Sequence, residues 1–145
     1  MAICSFEYAA KVICGEMREE GGPLAVGRYV TEVNVYNPQE RPVWLSKRLV
    51  PTFPPGEQQE WKEGLPLEEQ HQLTPGRAIG VDCRYLLGHL KVPLGPFFIG
   101  FLVIESTESV DVTAVYTTWG LRELDAPGIA VEQIKERAKA SEERR

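Results

Sequence analysis

The sequence predicts an all-β protein, an antiparallel β-sandwich of about six or seven strands that ends in a short C-terminal helix or tail. Two observations support this fold class. Short stretches rich in β-branched and aromatic residues recur along the chain, with turn residues between them. The stretch 97–119 also contains two adjacent apolar arms of strand length. A chain of 145 residues is long enough to bury one core of this kind.

The stretch 97–119 is expected to form the centre of the core. Residues 97–104 are apolar at every position but one glycine, which is typical of a strand covered on both faces. Residues 110–117 alternate, which is typical of a strand covered on one face. A short polar segment joins the two arms, so we expect a hairpin. An aspartate in place of Phe101 or Val103 is therefore expected to abolish folding.

The first third of the chain is predicted to contribute three strands. We interpret Phe6–Cys14 as the first strand and Gly15 as its end. Gly27–Tyr36 and Val43–Val50 are expected to pair as a second hairpin, because the segment between them has turn composition. In the second strand, alternation places four residues toward the core: Tyr29, Thr31, Val33 and Val35.

A long loop is expected from Pro51 to Pro75, which is rich in proline, glycine and glutamine. Within it, Leu65–Leu73 has the composition of either one short helical turn or a strand. Trp61 is expected to pack downward and pin the loop, with a ligand platform as the alternative.

A short strand at Arg77–Cys83 follows the loop. Asp82, at the end of this strand, is expected to cap a single helical turn at Arg84–Leu87, and Gly88 is expected to end that turn.

Residues 127–145 are predicted as a C-terminal strand or helix tail beyond a sandwich domain of residues 1–126. Ile129–Gln133 could begin as an extended strand. Val131–Arg145 has the composition of an exposed helix, with Glu–Lys pairs at i, i+3 spacing. The apolar stripe of that helix is thin, so we expect it either to dock on a neighbour or to fray.

Charge and composition exclude several classes of protein. The chain has 16 basic and 21 acidic residues, and its net charge of −5 opposes binding to a nucleic-acid backbone. The apolar run at 97–104 is too short to span a membrane, and the N-terminus lacks the pattern of a signal peptide. Three cysteines are too few for a disulfide scaffold, so we expect a cytoplasmic protein with reduced thiols. A Cys14–Cys83 bridge is the alternative in an oxidising compartment.

The sequence contains no motif of a nucleotide-binding loop, a nucleophile elbow or a zinc protease. Cys83, His89, Asp82 and His71 could in principle gather around zinc, but they lack the closely spaced pairs of a zinc site. We interpret Cys83 as a buried thiol at a strand end and the nearby histidine as a loop residue. The sequence therefore predicts no catalytic residue, no cofactor and no bound metal.

Three segments resemble a group of small, uncharacterised bacterial proteins. The segments are Phe6–Lys11 (FEYAAK) followed by Cys14–Gly15, Tyr29–Pro38 (YVTEVNVYNP) and Gly100–Tyr116 (GFLVIESTESVDVTAVY). Ile129–Ile134 (IAVEQI) is also similar to the closing segment of those proteins, which is extended there. The resemblance covers nearly the whole chain and implies no particular activity.

The layout is more distantly similar to the sensory rhodopsin transducer family. The family's V-I-x-S-x-x-x-V-x-V pattern is matched by Val103, Ile104, Ser106, Val110 and Val112. The resemblance implies a small cytoplasmic β-sandwich that self-assembles and acts by binding partners. The loop at 51–75 is much longer here, and the C-terminal tail has no counterpart in that family.

These observations predict a non-catalytic β-sandwich that acts through self-assembly or through binding another protein. We expect a homo-oligomer, dimer to tetramer, in which residues 128–145 cross to or pack near an adjacent subunit, with no nucleic-acid partner and no membrane insertion. The predicted interaction residues are Trp61, Trp119, Ile129, Val131 and Ile134.

Two alternative functions come from other classes. The first is a small-ligand or carbohydrate-binding module that stacks its ligand on Trp61 and Trp119. The second is an enzyme that uses Cys83, His89 and Asp82.

Overall fold

The computed structural model describes residues 3–56, 65–89, 95–122 and 125–139. Within these residues the chain forms nine strands and one short helix. The elements are β1 (Phe6–Met17), β2 (Gly27–Tyr36), β3 (Val43–Pro51), β4 (Leu65–Leu73), β5 (Ala78–Asp82), α1 (Cys83–His89), β6 (Phe97–Ser106), β7 (Asp111–Trp119), β8 (Gly128–Gln133) and β9 (Arg137–Ala138). The predicted all-β class is confirmed, with more strands than expected because β4, β8 and β9 also pair.

All strand pairs are antiparallel, and neighbours follow the order β4-β3-β6-β1-β2-β7-β8. Strand β5 also pairs with β2, and β9 also pairs with β1. One edge of β2 is therefore shared, because β1 pairs with its first residues and β5 with its last. Between these two pairings, the Thr31 hydroxyl accepts from the Ile13 N–H at 2.9 Å and donates to the Ile13 carbonyl at 3.0 Å.

One hydrophobic core draws on both sides of this β1–β2 junction. The sheet must therefore fold over so that its two halves face each other as a sandwich. The largest fully buried core side chains are Tyr8, Val12, Val33, Val35, Val43, Leu45, Leu49, Val81, Leu86, Leu102, Ile104 and Val112. Three of the four core positions predicted by alternation in β2 are confirmed, since Thr31, Val33 and Val35 are buried, whereas Tyr29 is half-buried.

Both predicted hairpins are wrong. Strand β6 pairs with β1 and β3, whereas β7 pairs with β2 and β8, so the two arms of 97–119 lie in different halves of the sheet. Strands β2 and β3 are separated in the same way. Each connection crosses from one half of the sandwich to the other, which a short polar segment allows as readily as a hairpin turn.

Strand β6 is not covered on both faces along its length. Leu102 and Ile104 are fully buried on its core face, while Phe101 on the outer face is 38% exposed. The Lys11 ammonium lies over the Phe101 ring, 4.6 Å from its centroid. Of the two aspartate substitutions that were expected to abolish folding, only the one at Val103 therefore replaces a buried side chain.

Strand β1 does not end at Gly15. This glycine has a φ of 107°, and a Cβ atom there would lie 2.0 Å from the Pro96 carbonyl oxygen. Only glycine permits both the backbone conformation and this close approach. The strand consequently continues to Met17, where its last three residues pair with β2.

The predicted loop at Pro51–Pro75 contains a strand. Leu65–Leu73 forms β4 along β3, so the strand alternative is confirmed. Residues 57–64, including Trp61, lie outside the described residues.

Helix α1 confirms the predicted cap, because the Asp82 carboxylate accepts a hydrogen bond from the Tyr85 N–H at 2.8 Å. Among the residues that the structure describes, no helix is long and apolar enough to cross a membrane.

The expected C-terminal helix is absent from residues 131–139, which instead include the end of β8 and the whole of β9. Ile134 is 8% exposed and belongs to the core cluster. Three of the four charged residues that suggested i, i+3 pairs, Glu132, Glu136 and Lys139, bind side chains of other strands or loops instead, as described below. Tertiary contacts outweigh the local helical preference here.

Candidate interaction surface

Strand β8 carries two of the five predicted interaction residues. Ile129 is 73% exposed and Val131 is 65% exposed. The prediction that Ile134 is an interaction residue is wrong. Even-numbered residues of this segment point toward the core side, and Ile134 belongs to the core. Trp119 lies partly buried at the end of β7, opposite Arg28. The fifth residue, Trp61, is outside the described residues.

An apolar patch lies on the outer face of β2, β7 and β8. The register places Val30, Thr117 and Ile129 in one row across the three strands, and Glu32, Val115 and Val131 in the next. Directly opposite residues share a face of the sheet, so the apolar members of both rows form one surface. We call Val30, Val115, Ile129 and Val131 the outer patch.

The outer edge of β8 pairs with no other strand among the described residues. The Ile134 N–H donates to the Val112 carbonyl at 2.9 Å, which fixes the alternation of backbone groups along β8. Even-numbered residues direct their backbone groups toward β7, and odd-numbered residues direct theirs to the open edge. The open edge therefore presents the N–H and C=O groups of Ile129, Val131 and Gln133.

Strand β8 is held to β7 on its inner face by a tyrosine. The Tyr116 hydroxyl donates to the Glu132 carboxylate at 3.1 Å. Burial raises the pKa of Tyr116 to about 12, and the hydrogen bond to the Glu132 carboxylate acts in the same direction. The tyrosine therefore stays protonated, as a donor to this carboxylate must.

Residues 134–139, which we call the C-terminal strap, fold back onto their own chain. Glu136 accepts from the hydroxyls of Tyr8, at 2.6 Å, and Ser109. The Lys139 N–H donates to the Ser5 carbonyl at 2.8 Å. The strap thus joins the end of β8 to the start of β1, on the opposite half of the sandwich.

Ion pairs hold the strap where two acids face each other. Glu7 and Glu105 are direct partners on β1 and β6, an arrangement that is unfavourable without cations. Arg137 lies 2.8 Å from Glu7 and Lys139 lies 2.7 Å from Glu105. Arg48 of β3 contacts both acids. Of these three cations of the described chain, two therefore come from the strap.

The pKa values of two carboxyl groups at the strap are lowered. Burial alone would raise the pKa of Glu105, but hydrogen bonds from Lys139 and Arg48 outweigh burial. The hydroxyls of Ser109 and Tyr8 lower the pKa of Glu136 by donating to its carboxylate. Both groups therefore favour the docked strap in their ionised form.

The residues weighed for zinc or catalysis have structural contacts. Cys83 forms a disulfide with Cys14, with the Cα atoms 5.7 Å apart, so the alternative pairing is the one found. Asp82 caps α1, and the His89 ring stacks on Tyr85 with the centroids 3.9 Å apart. His71 lies on β4 opposite Leu45. Across the described ranges, no three His, Cys, Asp or Glu residues form a possible metal site.

The described surface carries depressions beside β1 and beside the strap. A depression of about 450 Å³ lies beside Gly15–Glu19 and is bordered by Pro96 and Phe97. A second, of about 300 Å³, lies between Tyr8 and the strap. Neither is lined by a tryptophan.

Sequence reasoning missed two members of the outer patch. Val30 lies between Arg28 and Glu32 at the spacing that places all three on the water-facing side of β2, so alternation could have identified it. Val115 faces outward on β7 by the same rule. No local signal could show that these residues adjoin Ile129 and Val131, because that depends on the pairing of β2, β7 and β8.

No protein-family model and no curated protein matches this sequence. The crystal structure of Thermotoga maritima 1070 is similar, with a TM-score of 0.54 and 10% sequence identity. The similarity covers 93% of this chain and 96% of the Thermotoga chain. At this identity the similarity shows a shared fold alone.

Proposed function

We propose that this chain is a non-catalytic β-sandwich protein that works by self-assembly, and that the outer patch and the open edge of β8 bind a second copy of the chain. The observation that carries the proposal is the exposure of Ile129 and Val131, at 73% and 65%, on an edge strand. An edge strand with free backbone groups and exposed β-branched side chains is a site at which another strand adds.

A second copy is the occupant that the charges favour. Asp125 precedes β8 and Lys135 follows it, and both are exposed. An antiparallel copy of the same segment would bring each acid toward the other copy's lysine, so the segment is complementary to itself in charge as well as in apolar character.

The structural contacts of the other candidate residues support a non-catalytic role. A cysteine in a disulfide is not a free nucleophile, and an aspartate that caps a helix is engaged with a backbone N–H. The enzyme alternative uses Cys83, His89 and Asp82, and the carbohydrate-binding alternative uses Trp119 together with Trp61, which lies outside the described residues.

The compartment remains a prediction. The cytoplasmic assignment rested on reduced thiols, and the Cys14–Cys83 disulfide removes that basis. Disulfides persist in oxidising compartments, so the disulfide favours one of these as the place of action.

Light scattering with size-exclusion chromatography tests the proposal. The wild-type mass is expected to be that of two or more chains, each of 16.3 kDa. The double variant Ile129→Thr/Val131→Thr keeps β-branched side chains, so it should fold, and its mass is expected to shift toward one chain. Ile3→Thr is the matched control, because Ile3 is 86% exposed but lies outside the outer patch. A wild-type protein that has the mass of one chain at every concentration would refute self-assembly.

A further inference from the structure

We infer that β8 pairs antiparallel with β8 of a second copy about a two-fold axis at Ala130. The inference rests on the proposed self-assembly and adds the element, the symmetry and the register. It follows from the open edge of β8, the order of its side chains and the charges on either side of it.

Symmetry restricts the registers that two copies of β8 can adopt. In an antiparallel pair, directly opposite residues point to the same face of the sheet. A two-fold axis perpendicular to the sheet keeps each residue and its symmetry mate on the same face. The axis must then pass midway between one residue and the same residue of the second copy, so that these two residues lie directly opposite each other.

Three residues in the middle of the strand are candidates for this central position: Ile129, Ala130 and Val131. With Ala130 at the centre, Ile129 of each copy lies opposite Val131 of the other, and Glu132 lies opposite Gly128. With Val131 at the centre, Ile129 would face the polar Gln133. With Ile129 at the centre, Val131 would face Pro127, which has no N–H to donate, whereas the Ala130 register places only Gln133, at the end of the strand, opposite Pro127.

Backbone hydrogen bonding agrees with the Ala130 centre. The N–H and C=O groups of Ile129 and Val131 point to the open edge, so each Ile129–Val131 pair can exchange two hydrogen bonds. The backbone groups of Ala130 point to β7, which makes Ala130 and its mate a non-hydrogen-bonded pair. The pairing therefore uses donors and acceptors that β7 leaves free.

Charge supports the same register. Beyond the strand ends, the Ala130 register places Asp125 of one copy opposite Lys135 of the other, and the two-fold axis generates a second such pair. The registers centred on Val131 or Ile129 move these two residues out of opposition. In the Ala130 register the two outer patches also meet across the axis and form one apolar surface.

Cysteine cross-linking tests the register. Cα atoms of a non-hydrogen-bonded antiparallel pair are about 4.5 Å apart, within the range that a disulfide spans. Ala130→Cys is made in a Cys4→Ser background, which removes the free cysteine of the described chain. After mild oxidation we expect most of the protein to migrate as a covalent dimer on a non-reducing gel.

Gln133→Cys in the same background is the control. This position lies on the same exposed strand but faces Pro127 of the second copy, so little covalent dimer is expected. If Ala130→Cys does not cross-link while light scattering still gives a dimer, the register is wrong and self-assembly stands. If light scattering gives single chains, both the register and the proposed function fail.

Discussion

Tyr8 connects three distant parts of the chain through one side chain. Its ring is 1% exposed, in the core. Its hydroxyl donates to Glu136 of the strap and accepts from the Val110 N–H at 2.9 Å. Burial, together with the hydrogen bond to Glu136, raises the pKa of Tyr8, so the hydroxyl keeps the proton that it donates.

Removing this hydroxyl is expected to destabilise the protein. Tyr8→Phe leaves the Val110 N–H without its acceptor inside the fold, which costs about 1–3 kcal/mol. Urea unfolding followed by tryptophan fluorescence measures the free energy of unfolding. Tyr36→Phe is the control, because that ring is 44% exposed, and little change is expected there. Equal effects of the two variants would show that the Tyr8 hydroxyl has no special role.

Adjacent residues of β6 provide a second test at this scale. Leu102→Ala removes a fully buried side chain and is expected to cost about 2–5 kcal/mol. Phe101→Ala removes a ring that is 38% exposed, so a clearly smaller loss is expected. The same urea titration compares the two variants. A larger loss for Phe101→Ala would mean that the two faces of β6 have been exchanged.

The difference between Phe101 and Leu102 also marks what sequence could predict at the scale of residues. In β2, where polar and apolar residues alternate, the core face was predicted correctly. In β6, where nearly every residue is apolar, hydrophobicity does not distinguish the two faces. The face is decided by what covers it, and the outer face of β6 carries the long side chain of Lys11.

At the scale of elements, the strap depends on ionised carboxylates. The pKa values of Glu105 and Glu136 are lowered in the folded protein from an ordinary value of 4.5. A lowered pKa contributes stability above the unfolded value and loses it as the pH falls through the folded value. The contribution is therefore fully present at neutral pH and is lost progressively as the pH falls below about 4.5.

We expect this loss to appear in the melting temperature between pH 6 and pH 3. Glu136→Gln retains an acceptor for the Tyr8 hydroxyl but cannot titrate. The variant should be less stable than wild type at pH 6, and the difference should shrink as the pH falls. A difference that stays constant across this range would show that Glu136 does not hold the strap through its charge.

The strap also shows why a local pattern misled the sequence analysis. Glu136 and Lys139 have the spacing of an exposed helical pair, and nothing within the segment distinguishes that structure from a strand. Their partners, Tyr8 and Glu105, belong to β1 and β6. Segment composition contains no information about those partners, so strand pairing could not be predicted there.

At the scale of the whole molecule, the disulfide joins the two ends of a large part of the chain. Cys14 lies in β1 and Cys83 begins α1, with 69 residues of sequence separation, and both are buried. A thiol assay on the denatured, unreduced protein should find one free thiol per chain, that of Cys4. After reduction it should find all three. Three thiols without reduction would restore the expectation of reduced cysteines.

Much of the overall fold could be predicted from the sequence, but the pairing of the strands could not. The all-β class, the bounds of β2 and the exposed apolar residues of β8 follow from composition and alternation. The crossing connections β2–β3 and β6–β7 do not, because a short polar segment is compatible with a hairpin or with a crossing between layers. The outer patch depends on that pairing, so its extent could not be predicted.

The crossing connections have a consequence for how the chain is made. During synthesis β1 leaves the ribosome first, yet its long pairing is with β6, where Phe6 lies opposite Ser106. Strand β2 must likewise wait for β7, apart from its shorter pairings with β1 and β5. The nascent chain therefore carries apolar strands without their main partners until residue 119 has emerged. Folding of this protein is expected to be late and slow, with aggregation most probable before synthesis ends.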